Sequence, residues 1–266
     1  MLKHVVLVQM LAYLTAKDTP LWVVDTHAGA GAYSLVSSFA QKKSEFKDGI
    51  GRLWGRGDLP PALAEYVHQV KTLNPDGALR AYPGSPQIAL QMTRPQDRLR
   101  LFELHITEIR ILQDHFRRAG RRVSVREADG FAGLKSLLPP RSRRGLVLID
   151  PSYEDKGDYA RVLATMRDAL QRFATGTYAV WYPQVQRRES QELPGQLQQL
   201  AGKDWLHASF RVMAPARDGL GLHGSGLFVF NPPWTLEAAL RPVLPVLVNL
   251  LGQDNKASFG LQARRA

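Results

Sequence analysis

The feature that most restricts the fold of this chain is an alternation of short apolar segments with stretches of helical period. LWVVDTHAGAG (21–31), RLRLFELH (98–105), RRVSVREADG (121–130), GLVLIDPSY (145–153) and GTYAVWYP (176–183) are β-branched runs that break at Asp, Glu, Gly or Pro. Between them, ITEIRILQDHFRRAG (106–120) and YARVLATMRDALQRFA (159–174) carry apolar residues at helical spacing. Such an alternation predicts a mostly parallel sheet with helices on both faces. The chain closes differently. HASFRVMAP (207–215) and GSGLFVFNPPW (224–234) are strand-like, and the link between them is too short for a helical crossover. They are expected to form an antiparallel hairpin.

The interval from about 40 to 84 interrupts this alternation with helical patterning around 61–73 and a basic bias. It reads as an inserted helical subdomain after the first strand, within a single domain spanning 1–266. The tail KASFGLQARRA is expected to be loosely held. The opening MLKHVVLVQMLAYL is apolar, yet too short to span a membrane and without a small-residue cleavage site. A buried amphipathic helix suits it better than a signal peptide.

Composition narrows the function. Cysteine is absent, which excludes disulfides and thiolate zinc sites and fits a reducing, cytoplasmic compartment. The seven histidines show no metal-ligand spacing, so no metal is expected. The formal net charge is +11. A polyanionic partner follows naturally, because basic side chains release counterions from phosphates. A soluble protein that is merely basic remains the alternative. Lys42, Lys43, Lys47, Arg52 and Arg56 in the insertion, and Arg141, Arg143 and Arg144, are the candidate phosphate contacts, with a solvated charged face as the other reading.

In open α/β sheets, ligands bind beyond the carboxyl ends of the strands. Asp25-Thr26-His27-Ala28-Gly29-Ala30-Gly31 follows the first strand, and its glycines, Gly29 among them, let backbone approach a ligand. The third glycine of a dinucleotide fingerprint is missing. Glu103 ends the second strand, where a carboxylate can accept hydrogen bonds from ribose hydroxyls. Asp129 and Gly130 end the third. There a carboxylate can hold an adenine amino group, although Asp-Gly is also a routine turn.

Asp150-Pro151-Ser152-Tyr153 ends the fourth strand beside that cleft. An exocyclic amine is a poor nucleophile because its lone pair is delocalised into the ring. The Asp150 carboxylate and the Pro151 carbonyl can hold its two N–H bonds and turn the nitrogen towards tetrahedral geometry. Tyr153 is expected to stack on a base drawn out of its helix or loop. Ser152 stands where a second proline would stiffen the turn, and costs rigidity rather than chemistry. Asn231-Pro232-Pro233-Trp234 is a second such tetrad. Its strand is the seventh and lies beyond the cleft, so it reads as a rigid turn before the final helix.

DTHAGAG, YPGSP, FELH, ADGF, SRRGLVLIDPSYE and FATGTYAVWYP, in this order, resemble the family of 23S ribosomal RNA adenine-N6 methyltransferases, the RlmJ-like enzymes. The resemblance runs from residue 1 to about 235. It implies a Rossmann-like class I methyltransferase fold of seven mostly parallel strands, with a C-terminal antiparallel hairpin and the helical insertion. It also implies S-adenosyl-L-methionine as cofactor, S-adenosyl-L-homocysteine as product, 23S rRNA as partner, and a monomer. The catalytic residues it implies are Asp150, Pro151 and Tyr153. Cofactor contacts fall at His4, His27, Ser85, Glu103, Asp129, Gly130 and Asp150. His4 and Ser85 carry no signal of their own: alone they read as a helix-face histidine and a Gly-Ser-Pro helix start. Relatives begin with a further segment rich in His, Tyr and Arg ahead of Leu2-Lys3-His4, so a shortened chain that binds cofactor but methylates poorly is expected. Methylation of DNA adenine, or RNA binding without catalysis on the same fold, are the alternatives.

Overall fold

The computed structural model describes residues 1–37, 45–216, 219 and 221–265. Helix α1 (Leu2–Thr15) leads into strand β1 (Trp22–Asp25). A small hairpin of β2 (Ala32–Ser34) and β3 (Ala81–Pro83) brackets the segment carrying α2 (Glu45–Asp48) and α3 (Pro61–Thr72). Then follow α4 (Ser85–Met92), β4 (Arg98–Glu103), α5 (Ile106–Phe116), β5 (Val123–Glu127), α6 (Gly130–Leu134) and β6 (Gly145–Ile149). The chain continues through α7 (Gly157–Arg172), β7 (Thr177–Gln184), α8 (Arg188–Leu200), β8 (Trp205–Arg211) and β9 (Gly224–Phe230). It ends with α9 (Leu236–Leu240), α10 (Val243–Leu251) and β10 (Ser258–Arg264).

The main sheet runs β10-β8-β9-β7-β6-β1-β4-β5. Strands β5, β4, β1, β6 and β7 are mutually parallel, whereas β9 is antiparallel to both β7 and β8. This is the class I methyltransferase arrangement, with reversed β9 inserted between β7 and β8, and a second reversed strand, β10, added at the edge. The seven segments read from the sequence form seven of these strands. The eighth corrects one expectation: the tail is not loose, because β10 pairs antiparallel along the whole of β8.

Local composition explains these elements. All five residues of β6 are buried, as a parallel strand covered on both faces requires. Helix α7 buries Tyr159, Val162, Met166 and Ala169 on one stripe and leaves its other face to solvent. Helix α1 differs from the amphipathic expectation. Val5, Val6, Leu7 and Val8 are buried in succession, because α3, α4, α9 and β9 surround it. One core fills the space around α1, α3, α4 and α10, and a second lies under α7 and α8.

Register decides where chemistry can occur. Asp25 stands level with Leu148 on β6 and Leu101 on β4, so the motifs that follow β1, β4, β5 and β6 emerge from one edge. Asn231 leaves from the opposite edge, because β9 runs the other way and sets Phe230 beside Tyr178 near the start of β7. Its side-chain amide donates to the carbonyls of Ala174 and Gly176, each at 2.7 Å, closing the turn into β7.

Candidate functional site

The loop after β1 is held by a carboxylate. The Gly29 N–H donates to Glu103 Oε2 at 2.7 Å, and the Leu104 and His105 N–H groups donate to Oε1 at 2.8 Å each. A carboxylate offers about four acceptor positions, so Glu103 retains roughly one for a ribose hydroxyl rather than a pair. Gly29 sits at φ +61°, and a Cβ there would lie 2.4 Å from the Tyr33 hydroxyl, so this position requires glycine. The His27 ring meets Phe131 edge-on at 4.7 Å. Burial pushes its imidazole down to about 4, so the ring is neutral at physiological pH.

Asp129 performs the turn chemistry first. Its Oδ1 accepts the Phe131 N–H at 2.9 Å and caps α6, while Oδ2 pairs with Arg161. The Arg161 guanidinium also lies 4.4 Å from the centre of the Phe131 ring. Gly130 passes so close to the preceding loop that an added Cβ would sit 2.0 Å from the Thr26 carbonyl oxygen. His27, Glu103, Asp129, Gly130 and Pro151 share one cavity of about 160 Å³ with Ser152, Asp158 and Arg161. That volume suits the nucleoside end of a cofactor, since whole ligands of drug size occupy roughly 300 Å³ or more.

Beyond this cavity, Asp150 Oδ2 is paired with the Lys3 ammonium, delivered by the first turn of α1. Burial raises the Asp150 carboxyl above its usual range, and Lys3 opposes that rise. Burial likewise works against the ammonium, but the Asp150 carboxylate outweighs it and raises Lys3. Sequence reasoning missed Lys3, which stands in no motif and reads as the start of an apolar helix.

Tyr153 differs from its expected presentation. It is 3% exposed, its hydroxyl donates to the Trp181 carbonyl at 2.7 Å, and its ring packs against Tyr159. Stacking on a base requires this ring to be uncovered. The backbone at Tyr153 adopts φ +56°, a left-handed geometry that costs a non-glycine residue about 1–2 kcal/mol. It is secured by Arg187, which donates to the Tyr153 carbonyl at 3.0 Å. Where a second proline would stiffen the turn, the Ser152 hydroxyl accepts the Glu154 N–H at 3.4 Å.

His4 and Ser85 reach the site from the other side of the loop. The Ser85 hydroxyl donates to Asp25 Oδ2 at 2.6 Å, and the His27 N–H lies 3.3 Å from Oδ1. Burial raises Asp25 to about 6, with Ser85 and Lys3 pulling against it. His4 Nδ1 is 3.0 Å from the Tyr82 hydroxyl, which is 2.8 Å from that of Tyr66 on α3. His4 Nε2 is buried without a partner, and burial holds this ring neutral. An orphaned ring nitrogen beside the loop is the strongest local sign that a polar ligand belongs there.

The basic candidates divide. Arg52 pairs with Asp48 and donates to the Leu250 carbonyl, and Arg56 pairs with Asp58. Lys47 is exposed, while Lys42 and Lys43 lie outside the described residues. Arg141, Arg143 and Arg144 precede β6 and therefore sit at the edge opposite the cleft. Arg144 donates to the Leu14 and Thr19 carbonyls, fastening the end of α1. Any phosphate that these three meet therefore lies away from the cleft.

Comparison with known proteins agrees with this geometry. Residues 18–261 match the family model RsmJ, described as "Ribosomal RNA large subunit methyltransferase D, RlmJ". Ribosomal RNA large subunit methyltransferase J of Haemophilus influenzae is 42% identical over 262 residues, 98% of this chain and 92% of the relative. The protein of that name from Escherichia coli K12 is 44% identical over 246 residues, covering 92% of this chain and 87% of its own length. The crystal structure of protein LPL1258 from Legionella pneumophila superposes with a TM-score of 0.89 at 35% identity, covering 98% of this chain and 95% of the other. By its fold, its strand-end residues and this similarity over nearly the whole chain, the chain belongs to the RlmJ family of large-subunit ribosomal RNA methyltransferases.

Proposed function

We propose that the protein transfers the methyl group of S-adenosylmethionine to N6 of an adenine in 23S ribosomal RNA, acting as a monomer in the cytoplasm. Residues 1–266 then form one methyltransferase domain, with 40–84 as its helical insertion. The observation that carries this reading is the position of Asp150 in Asp-Pro-Ser-Tyr. In a chain of this family, it stands at the strand edge next to the cavity of His27, Glu103, Asp129 and Gly130.

The residues present fit the cofactor. Glu103 would take a ribose hydroxyl on its open acceptor position. Asp129 would face the adenine end, where its oxygen must be shared with Arg161. Ser85 and the unpartnered His4 Nε2 would serve the amino-acid end. When bound, S-adenosylmethionine supplies an electrophilic methyl group.

The chain's own contribution is to make the adenine amine nucleophilic. Asp150 accepts an N–H most strongly when ionised, and burial alone disfavours that state; the neighbouring Lys3 charge counters it. Lys3 occupies Oδ2, so the target amine either uses Oδ1 or displaces the ammonium. The second N–H goes to the Pro151 carbonyl. With both N–H bonds held, the nitrogen lone pair is directed out of the base plane, and the catalytic gain is orientation with electrostatic stabilisation. The proton released after transfer passes to Asp150.

Incubation with S-adenosylmethionine and either unmethylated 23S rRNA or duplex DNA tests substrate class. Incorporation into RNA alone is expected. Equal or preferential incorporation into DNA would overturn the RNA assignment.

A further inference from the structure

A cavity of about 480 Å³ lies apart from the cofactor cleft. It occupies the α8 face of the sheet, where β7, β9, β8 and β10 run side by side. Register places Gln184, Gly224, Arg211 and Ser258 in one row across these four strands, all facing α8. On the adjacent row the Tyr182 ring lies across Gly226 while Gly260 keeps β10 low, and a trough forms between this part of the sheet and α8. A glycine in a strand interior commonly marks a place where something approaches closely.

The polar groups in this trough are short of partners. Gln184 Oε1 and His223 Nδ1 are buried without any hydrogen bond. The Arg211 guanidinium donates only to the Ser258 hydroxyl, at 3.0 and 3.2 Å, and has no acidic partner among the described residues. Exposed Phe259 stands at the rim. An unneutralised guanidinium, a free amide oxygen and a free imidazole nitrogen around a concave surface make a site for a ligand with both an anion and a hydrogen-bonding edge.

Its position selects among such ligands. Gln184 lies four residues past Val180, which pairs with Ile149 at the end of β6. At about 3.3 Å per residue, the trough opens roughly 13 Å beyond the end of β6, on the side of the sheet's edge from which the turn carrying Asp150 and Tyr153 emerges. Arg187, three residues after Gln184, holds the Tyr153 carbonyl and links the two places. A strand of RNA with its target adenine at Asp150 therefore has this trough within the reach of neighbouring nucleotides.

We propose that the trough is a second nucleotide subsite, which takes a nucleotide flanking the target adenine, with Arg211 on its phosphate and Gln184 and His223 on the edge of its base. The proposal rests on the rRNA methyltransferase reading above and adds a determinant of which RNA is accepted.

The test is fluorescence anisotropy with a labelled 23S rRNA fragment that the wild-type protein methylates, comparing Arg211→Met, Gln184→Leu and Arg211→Lys. Arg211→Met should weaken RNA binding roughly tenfold and lower the salt slope by about one, with Arg211→Lys intermediate. Gln184→Leu should weaken binding without changing the salt slope. Cofactor affinity and melting temperature should stay at wild-type values in all three. When the RNA is trimmed nucleotide by nucleotide around the target adenine, wild type and Arg211→Met should become equal once the flanking nucleotide is removed. The proposal is overturned if Arg211→Met binds the full fragment within twofold of wild type, or if its deficit persists on the shortest RNA. A wild-type protein that neither binds nor methylates the fragment would instead overturn the functional reading, and the subsite with it.

Discussion

Asp25 gives a sharp test of how this site is held, because its charge opposes folding. The side chain is 3% exposed, accepts a 2.6 Å hydrogen bond from Ser85, and has its carboxyl pushed from 3.8 to about 6, chiefly by burial. The folded state thus holds this proton more tightly than the unfolded chain does. The corresponding stability is fully present below pH 3.8 and is lost as pH rises through about 6. A displacement of that size is about 3 kcal/mol, which the ionised carboxylate costs the fold at pH 8. Asp25→Asn is neutral at every pH and can still bond Ser85 and the His27 N–H, but it deprives Lys3 of a nearby negative charge. The net gain should be about 2 kcal/mol at pH 8, or a melting temperature higher by about 4–8 °C, and should vanish near pH 4. Urea unfolding of the ligand-free protein from pH 4 to 8 measures it directly. A variant no more stable than wild type at pH 8, or equally stabilised at pH 4 and pH 8, would refute the reasoning.

Other expectations follow from single contacts. Gly130→Ala places a methyl group 2.0 Å from the Thr26 carbonyl oxygen, so cofactor binding measured by calorimetry should be lost, with destabilisation of about 3 kcal/mol. Asn231→Ala removes two side-chain hydrogen bonds and leaves alanine at φ +48°. It should cost about 2–4 kcal/mol in denaturant unfolding while kcat is unchanged, because this tetrad lies at the far edge of the sheet. With its pKa near 4, His27 should show no NMR titration between pH 5.5 and 8.

The strands were legible because a buried parallel strand has to be a continuous apolar run ending in a turn residue, as β6 does at Asp150. Strand ends are also where open α/β sheets bind ligands, so Glu103, Asp129, Gly130 and Asp150 stand out by their positions in the chain alone. Strand order separated the two proline tetrads, and the reversed direction of β9 supplies the physical reason. The β10 strand carried a readable signal in the alternation of Phe259, Leu261 and Ala263, which its terminal position obscured. Lys3, Arg161 and Tyr82 carried none. Each acts through a partner distant in sequence, Asp150, Asp129 and His4 respectively, and only packing brings them together. The covered ring of Tyr153 was invisible for the same reason, since a tetrad motif does not say which way its aromatic turns.

The central claim is that Asp150 activates an adenine N6 amine, and nucleoside analysis after labelled methyl transfer tests it most directly. Unmethylated 23S rRNA should yield labelled N6-methyladenosine with the wild-type protein. Asp150→Ala, shown by calorimetry to bind S-adenosylmethionine still, should give at least roughly a hundredfold less, the order of magnitude lost when an electrostatic stabiliser of the transition state is removed. Label appearing on another atom or base, or an Asp150→Ala rate close to wild type, would contradict the account.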